Sequence, residues 1–512
     1  MRIKRMVLNS DQEVVVKVVK EVLNLFKISI GPLLDPDTKK PLPVDGPYDW
    51  EAIDIENSIE ASEIPEVHTR VILTALDGTS NVFRQENPGT GDERYMAGIH
   101  RLIKLNLYQL LRRELGFEAA PWGIMHGVRP TKIVHRFLSS GMDRDAIVKR
   151  LKEEYEANDE KASVITDMAI RQLPFLARTD DRTISVYVGI PFCLSRCLYC
   201  SFPANVLPGR KGLDEFMEAF RKDLAAVRQE VERYNFKVQS IYVGGGTPTS
   251  LPDNYFEEML NLVYDSFYNE DVVEFTVEAG RPDSMSEAKL KTMLDCSVTR
   301  VSCNPQSMQQ KTLKRIGRNH TTEAVVEMFK SLRSAGIPEI NMDIILGLPG
   351  ETVADVDDTM KKLVELGPDD ITIHSLALKK GSRLKLNLLD YELPDDDTCR
   401  KMFDVAMGYI WENGYKPYYL YRQGYMSGQM ENVGCAHPGA ESMYNIQIME
   451  EHQTILGIGG SATSKIINKR EGRLKSSFNA KDLVTYIRDI DLYIEKRSQL
   501  LKEAYGIVDQ ED

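Results

Sequence analysis

Apolar and polar positions follow two kinds of pattern between residues 183 and 376. Short apolar runs rich in β-branched residues predict buried strands, and longer segments with apolar residues every three or four positions predict amphipathic helices. The predicted strands are residues 184–190, 240–243, 272–277, 298–303, 339–346 and 370–376. The predicted helices are residues 213–234, 254–268, 286–294, 322–335 and 353–366. Because a closed barrel needs eight strand–helix units, these six predict an α/β fold with a partial (β/α)6 barrel.

The segments outside this region are less regular. Before it, residues 14–26, 98–115, 144–155 and 161–177 have helical spacing, residues 71–76 predict a strand, and residues 30–65 carry little periodicity. After it come an aromatic-rich stretch (415–425), a glycine-rich stretch (456–461) and one long helix around 482–505. We therefore divide the chain into an N-terminal α+β extension (1–180), the partial barrel (181–380) and a C-terminal α/β region (381–512). Ser284 with Glu287 has capping-box spacing, and Thr352 predicts an N-cap.

Composition narrows the class of protein. Hydrophobic content of 42% and charged content of 28% are ordinary for a globular chain, and a net charge of −13 disfavours broad binding to nucleic acid. Seven cysteines, an odd and sparse set, favour a reducing compartment over a disulfide framework. No segment reads as a membrane span or a signal peptide. We therefore expect a cytoplasmic protein.

The most closely spaced group of potential metal ligands lies directly after the first predicted strand. Cys193, Cys197 and Cys200 have C-x3-C-x2-C spacing, at the strand end where α/β proteins place their active sites. Three thiolates in one loop can hold three irons of a four-iron cluster and leave the fourth iron open to a ligand. The alternative is a structural zinc site, which needs a fourth ligand, and no other Cys or His lies within fifty residues of the loop.

Further polar or glycine positions recur at the ends of the following strands. Glycines let a backbone approach a ligand closely, carboxylates accept from hydroxyl or amino groups, and Gln and Arg supply donors. Each residue alone is equally consistent with a turn, a cap or the surface, but their order along successive strands favours one site. They are Gly244, Gly245, Gly246, Thr247, Glu278, Gln306, Arg318 and Asp343.

These blocks together resemble the radical S-adenosylmethionine (SAM) superfamily. The resemblance implies that the open iron chelates the amino and carboxylate groups of SAM and that Tyr199 lies beside the adenine. It implies that residues 244–247 bind the methionine end of the cofactor. Its other implied cofactor-binding residues are Tyr187, Glu278, Gln306, Arg318, Asp343 and Ala377, and Tyr187 is also the implied catalytic residue.

Within the superfamily, the chain resembles oxygen-independent coproporphyrinogen III dehydrogenases, in their longer, N-terminally extended branch. The shared phrases are residues 187–193, 244–249, 300–306, 317–320 and 342–350, with weaker matches at Ala377 and residues 456–463. The implied reaction starts when SAM, cleaved by one electron from the cluster, gives a 5′-deoxyadenosyl radical that takes hydrogen from a propionate β-carbon. Loss of carbon dioxide and a further electron leaves a vinyl group, and two rounds give protoporphyrinogen IX. An electron donor is the implied partner.

Three departures from the family pattern leave other functions open. Gly189 stands where the family usually has His, Phe202 stands where characterised dehydrogenases have a fourth Cys, and the acidic motif after strand three is one residue longer. Haem-chaperone relatives share the Phe. The alternatives are therefore a haem chaperone that retains the cluster, or a radical enzyme that opens or methylates the haem ring.

Basic and aromatic residues near the barrel could bind a tetrapyrrole with four carboxylates. The candidates are Lys379, Lys380, Arg383, Arg422, Tyr418, Tyr419 and Tyr421. A solvated basic loop and core tyrosines would explain the same pattern. Of the remaining cysteines, Cys296, Cys303 and Cys399 are expected to be buried and inert, and Cys435 is a candidate haem or metal ligand.

Overall fold

The structure is a computed structural model that describes most of the chain in two compact units, Met1–Asp167 and Met168–Asp512. No helix among the described residues is long and apolar enough to cross a membrane. The described residues are 1–9, 13–31, 48–60, 62–117, 120–125, 127, 129–202, 205–379, 381–422, 430–468 and 471–506.

The first unit is a five-stranded sheet with helices. Its strands, in the spatial order β2-β1-β3-β4-β5, are β1 Arg2–Asn9, β2 Ser29–Ile30, β3 Trp50–Glu60, β4 Glu66–Thr74 and β5 Ser80–Asn87. Its helices are α1 Glu13–Leu25, α2 Tyr95–Leu115, α3 Thr131–Ser139 and α4 Arg144–Tyr155, and α5 Asp159–Leu176 runs on into the second unit. The four predicted helices are confirmed. Residues 30–65 carry little periodicity but nevertheless contain β3, in which Ala52 and Ile53 are adjacent and Asp54 separates them from the third buried residue, Ile55.

The second unit contains the predicted parallel sheet. Six strands pair in parallel in chain order: β6 Thr183–Ile190, β9 Lys237–Gly245, β10 Glu274–Glu278, β11 Arg300–Ser302, β12 Glu339–Leu346 and β13 Asp370–Ser375. A short pair, β7 Phe192–Cys193 and β8 Asn205–Val206, brackets the cysteine loop. The helices between the strands are α6 Arg210–Arg233, α7 Asp253–Phe267, α8 Glu287–Asp295, α9 Gln310–Arg315, α10 Thr322–Ser334 and α11 Val353–Leu366. The partial (β/α)6 barrel is therefore confirmed.

Strands from the last hundred residues extend this sheet at both edges. They are β14 Lys416–Tyr421, β15 Asn432–Ala436, β16 Thr454–Gly459, β17 Thr463–Asn468 and β18 Arg473–Phe478. Strand β15 pairs antiparallel with β13, whereas β16 pairs parallel with β6. The accompanying helices are α12 Arg383–Leu386, α13 Asp396–Glu412, α14 Met443–Glu450, α15 Leu483–Arg488 and α16 Ile490–Tyr505. The division of the chain at 180 and 380 stays a prediction.

Two local predictions are wrong and one is confirmed. The single C-terminal helix is two helices that meet at Asp489, whose φ of −107° and ψ of 20° depart from helical values. The N-cap of α8 is Ser286, which accepts from the Lys289 amide, because Ser284 already ends a 3-10 turn. Thr352 caps α11 as predicted, in a capping box with Asp355.

Glycines allow the paired strands β6 and β16 to pack closely at their ends, and we call this contact the seam between the two strands. A Cβ atom on Gly189 would lie 2.8 Å from the Gly460 carbonyl oxygen, and one on Gly459 would lie 2.3 Å from the Gly189 carbonyl oxygen. Gly459 also has a φ of +91°, which L side chains rarely adopt. The backbones can approach this closely only without side chains, so no larger residue fits at position 189.

Candidate functional site

Packing fixes the cysteine loop on its outer side. The Leu198 amide donates to the Ile316 carbonyl at 2.9 Å, and the Leu384 amide donates to the Leu198 carbonyl at 2.9 Å. The Leu198 side chain is buried in an apolar cluster that also contains Leu313, Ile316 and Leu384. The loop is therefore held between the end of α9 and the start of α12.

All three loop cysteines line one cavity of about 360 Å³. Burial raises the pKa of the Cys193 and Cys200 thiols, and the Thr247 hydroxyl lies 3.5 Å from the Cys193 sulfur. A tetrahedral zinc site would hold its thiolate sulfurs about 4 Å apart. Among the described residues, the three sulfurs are not all within 4.8 Å of one another. In this structure the three sulfurs are therefore not placed to bind one zinc ion together.

The predicted glycine segment forms the cavity wall beside Cys193. Gly245, Gly246 and Thr247 line the cavity, and the Gly246 and Thr247 amides donate to the Ile190 and Phe192 carbonyls at 2.9 and 2.7 Å. Gly245 has a φ of +115°, and a Cβ atom there would lie 2.8 Å from the Ile190 carbonyl oxygen. The end of β9 is thus tied to the backbone that carries the first cysteine.

Glu278 lines the adjoining part of the wall, and Gly244 packs against its carboxylate. A Cβ atom on Gly244 would lie 2.9 Å from the Glu278 carboxyl carbon, so this glycine makes room for the carboxylate. Glu278 accepts from the Tyr242 hydroxyl at 2.6 Å and from the Gly245 amide at 3.2 Å. Burial nevertheless raises the pKa of Glu278 to about 7. A cationic group in the cavity would favour its ionised form.

Gln306 enters the cavity from an unusual backbone position. Its φ is +68°, and its amide and carbonyl bond to the Asp343 carbonyl and the Ile345 amide, each at 2.9 Å, which fixes the turn on β12. Within the described ranges, four buried atoms of cavity-lining residues have no hydrogen-bond partner: Asn205 Nδ2, Gln306 Oε1, Asn304 Oδ1 and Arg318 Nε. Because buried polar atoms are usually bonded, these atoms are available to a polar ligand in the cavity.

Arg318 connects several parts of the cavity wall. Its Nη1 donates to the Asn304 carbonyl at 2.6 Å and to the Gly280 carbonyl at 3.0 Å, and its Nη2 lies 3.4 Å from the Tyr199 hydroxyl. Burial raises the pKa of Tyr199, so its hydroxyl stays neutral. The predicted residues Arg318 and Tyr199 thus meet at the cavity.

The sequence did not single out Arg281 or His374, which also line the cavity. Arg281 is buried, pairs with Asp283 at 2.6 Å and donates to the Ser195 hydroxyl of the cysteine loop at 2.7 Å. The acidic motif after the third predicted strand is one residue longer than in the family, and this departure could have drawn attention to Arg281. His374 lies in β13 with Nε2 3.5 Å from Asp343 Oδ2, and no motif marked it.

A second cavity of about 410 Å³ adjoins the first. The two share Tyr199, Cys200, Phe202, Gln306 and His374. The second is also lined by Ala377, Lys379 and Tyr421. The predicted residue Ala377 therefore lies in the neighbouring cavity and not in the one that holds all three cysteines.

Three predicted residues line neither cavity: Tyr187, Gly244 and Asp343. Tyr187 stacks inside the barrel, with ring centroids 6.1 Å from Tyr242 and 6.2 Å from Tyr444. Asp343 contacts the site through His374 and through the Gln306 amide. The roles assigned to Tyr187 and Asp343 stay predictions.

The substrate-binding candidates separate into several groups. Lys379 and Tyr421 line the second cavity, whereas Tyr418 and Tyr419 are buried, with the Tyr418 hydroxyl donating to Asp370 at 2.7 Å. Arg383 is exposed on α12 and lines neither cavity. Arg422 lines neither cavity, and Lys380 lies outside the described residues.

The four remaining cysteines are all buried. Cys296, Cys303 and Cys399 agree with the expectation of buried thiols. Cys435 is fully buried in β15, and within the described ranges it joins no group of three metal-ligating side chains.

Comparisons with known proteins point the same way as the geometry. The family model of the radical SAM superfamily matches residues 187–363. The oxygen-independent coproporphyrinogen-III oxidase-like protein HemZ of Bacillus subtilis is 35% identical over 463 residues, 89% of each chain. The haem chaperone HemW of Lactococcus lactis is 31% identical over 63% of this chain and 80% of its own. The structure of Escherichia coli coproporphyrinogen III oxidase (HemN) has the same fold, with a TM-score of 0.51, 24% identity and coverage of 63% and 72%.

Proposed function

Because the chain belongs to the radical SAM family of oxygen-independent coproporphyrinogen-III oxidase-like proteins, we propose that it is a coproporphyrinogen III dehydrogenase. The proposed reaction converts two propionate side chains of coproporphyrinogen III into vinyl groups and releases two molecules of carbon dioxide. We place this activity in the cytoplasm, where sparse, unpaired cysteines stay reduced.

The residues of the first cavity fit the superfamily's cofactors, a [4Fe-4S] cluster and SAM. The three cysteines supply thiolates for three irons, and Glu278 offers a carboxylate suited to an ammonium group. The unpartnered atoms of Gln306, Asn304 and Arg318 offer further hydrogen bonds. Bound together, cluster and SAM supply a one-electron route to removal of hydrogen from an unactivated carbon. The protein positions both and limits access of water to them.

The observation that carries the proposal is the second cavity, which shares a wall with the first. Lys379 offers a cation for a propionate, and Tyr421 offers an aromatic surface for a tetrapyrrole ring. His374 lines both cavities and can donate to a carboxylate where they meet. A propionate held there would lie next to the cofactor.

A haem chaperone is the second candidate. Phe202 lines both cavities at the position where, by the resemblance, characterised dehydrogenases carry a fourth cysteine. A relative at 31% identity is also named a haem chaperone. This function would use the second cavity or its surroundings to hold haem instead of a substrate.

An anaerobic product assay tests the proposal. Reconstituted protein is incubated with SAM, a reductant and coproporphyrinogen III, and the tetrapyrroles and 5′-deoxyadenosine are separated by chromatography. We expect protoporphyrinogen IX and 5′-deoxyadenosine from the native chain and neither from Cys197→Ala. Lys379→Ala should raise KM more than it lowers kcat, because it removes a cation without touching the cysteine loop. Tight haem binding without decarboxylated product would favour the chaperone, and consumption of haem would favour ring modification.

A further inference from the structure

Basic side chains that form no ion pair within the described residues lie around the cysteine loop, although Arg196 and Arg315 donate to the Gly381 and Pro349 carbonyls. We define this basic surface as Arg196 of the loop, Lys314 and Arg315 of α9, and Arg383 and Lys385 of α12. The backbone bonds from Leu198 to Ile316 and Leu384 bring α9 and α12 together at the loop. Five cations therefore lie within two residues of those contacts.

The cations of the basic surface are not neutralised by neighbouring carboxylates. Within the described part of the chain, none of the five forms an ion pair, whereas Lys311, at the start of the same α9, pairs with Asp355. Asp390 is the sole acidic residue between positions 379 and 391. The basic surface is therefore a locally positive region on a chain whose net charge is −13.

Most of the basic surface faces away from the ligand cavities. Lys314, Arg315, Arg383 and Lys385 line neither cavity, whereas Arg196 also lines the first one. Lys314, Arg315 and Arg383 are exposed. Cations meant for the carboxylates of a small substrate would line the cavity that holds it, as Lys379 does. The basic surface is thus suited to an acidic macromolecule.

Exposed leucines accompany these charges. Leu386 ends α12 at 72% exposure, and Leu389, three residues later, is fully exposed. Apolar residues ringed by charges are typical of protein–protein contacts, where charge steers the approach and apolar area supplies affinity. Nucleic acid fits poorly, because the surrounding chain is acidic.

We propose that the basic surface is the docking site for a small acidic protein that carries single electrons to the cluster. The cysteine loop is bonded to the two segments that carry this surface, so docking here brings a carrier close to the loop that would hold the cluster. One electron leaves the reduced carrier, which is oxidised by one electron, and reduces the oxidised cluster. No atom is transferred. Transient electron-transfer contacts are small, which suits a surface formed by two short helices.

Charge reversal tests the docking site with an acidic flavodoxin as the probe. The test variant is Lys314→Glu/Arg383→Glu/Lys385→Glu in the full, cluster-loaded chain, without tetrapyrrole. We expect its Kd for flavodoxin to rise at least about tenfold at low ionic strength, with a matching fall in the rate of cluster bleaching by reduced flavodoxin. Bleaching by a small photoreduced deazaflavin should stay unchanged.

A matched control separates local from general charge effects. Lys330→Glu/Lys361→Glu/Lys496→Glu changes the net charge equally at exposed lysines on α10, α11 and α16, and should alter Kd less than about twofold. The neutral variant Lys314→Gln/Arg383→Gln/Lys385→Gln should give an intermediate Kd. The neutral variant replaces the charge-reversed variant as the test if the charge-reversed variant does not keep its cluster iron.

Three results would overturn the docking site. They are an unchanged Kd in both test variants, an equal effect in the control, or binding to anionic phospholipid vesicles that the test variant loses while flavodoxin binding persists. The inference rests on the cluster of the proposed function and not on its substrate. If the deazaflavin-driven enzyme forms no protoporphyrinogen but docking follows the charges, only the proposed reaction fails.

Discussion

Two buried polar regions of the second unit differ in whether their side-chain oxygens have hydrogen-bond partners. On β16 and its neighbours, the Asp223 carboxylate accepts from the Gly459 amide at 2.9 Å, Asn479 at 2.9 Å, Tyr486 at 3.1 Å and Arg497 at 2.8 Å. In the cysteine cavity, by contrast, Gln306 Oε1 and its neighbours have no partner within the described ranges.

The contrast shows how structural and functional polar groups can be told apart. Asp223 has its full set of partners inside the chain, so it stabilises the fold and has nothing left for a ligand. The cavity groups are fixed by their backbones while their side-chain atoms stay open, as expected of a preformed binding site. Changes at Asp223 should therefore affect folding, and changes in the cavity should affect ligands.

The largest expected effect is loss of the cluster in Cys197→Ala. Two remaining cysteines cannot hold three irons, so we expect the iron–sulfur absorbance and the bound iron to disappear. The thermal midpoint of the metal-free chain should stay near that of metal-free native protein, because the loop is held by Leu198 and not by the thiols. A full cluster in this variant would show that the loop is misassigned.

The next effect concerns folding. Asp223→Ala leaves Arg497 buried without its carboxylate and should lower the free energy of unfolding by about 3–5 kcal/mol. Asp491→Ala is the matched surface control: it breaks the exposed ion pair with Lys222 and should cost below about 1 kcal/mol. Denaturant titration of both variants measures the difference. Equal costs would remove the distinction between the two regions.

A smaller effect is expected from Glu278→Gln, which keeps the shape of the side chain and removes its charge. Loss of a charged hydrogen bond costs about 1.5–3 kcal/mol, so the Kd for SAM should rise roughly ten- to hundredfold. Calorimetric titration of the cluster-loaded variant measures this Kd, and unchanged iron content is the control. Unaltered affinity would mean that Glu278 does not contact the cofactor.

The same carboxyl predicts a pH dependence. The pKa of Glu278 is raised to about 7, so without cofactor it is mostly protonated below that pH. The SAM ammonium favours the ionised form, and affinity should therefore fall as pH drops below about 7, by up to about tenfold per unit. Titrations of native protein and Glu278→Gln at several pH values test this. A slope that survives in the variant would belong to another group.

The smallest effect isolates an unpartnered atom. Gln306→Asn withdraws Oε1 by one methylene at a backbone position with positive φ, which Asn tolerates. The Kd for SAM should rise about fivefold, while the free energy of unfolding stays within about 0.5 kcal/mol because no hydrogen bond inside the chain is lost. A marked loss of stability would place Gln306 with the structural groups.

The regular part of the fold was predictable from the sequence because its pattern is local. The six parallel strands are buried on both faces and read as apolar runs, and α11 runs over the predicted Val353–Leu366. Strand β5 is exposed or half-buried along its whole length, so it gave no apolar signal.

The site was partly predictable for a related reason. Parallel strands end at one edge, so Cys193, Gly245, Glu278 and Gln306 had to converge. Arg281 and His374 belong to no spacing pattern and became visible only through contacts across the cavity. The requirement for glycine at position 189 arises from its contact with Gly460. Residues so far apart in the sequence cannot be connected by a local pattern.

The seam between β6 and β16 also determines when the edge of β6 can be covered during synthesis of the chain. Strand β6 pairs with β9 on one side and with β16 on the other, and β16 is made some 270 residues later. On a growing chain, the strand that leads into the cysteine loop thus has an open edge until synthesis passes residue 460. A cluster delivered before that point would meet an incomplete barrel. A chain truncated before β16 would therefore carry all three cysteines on a loop that follows a strand with one unpaired edge.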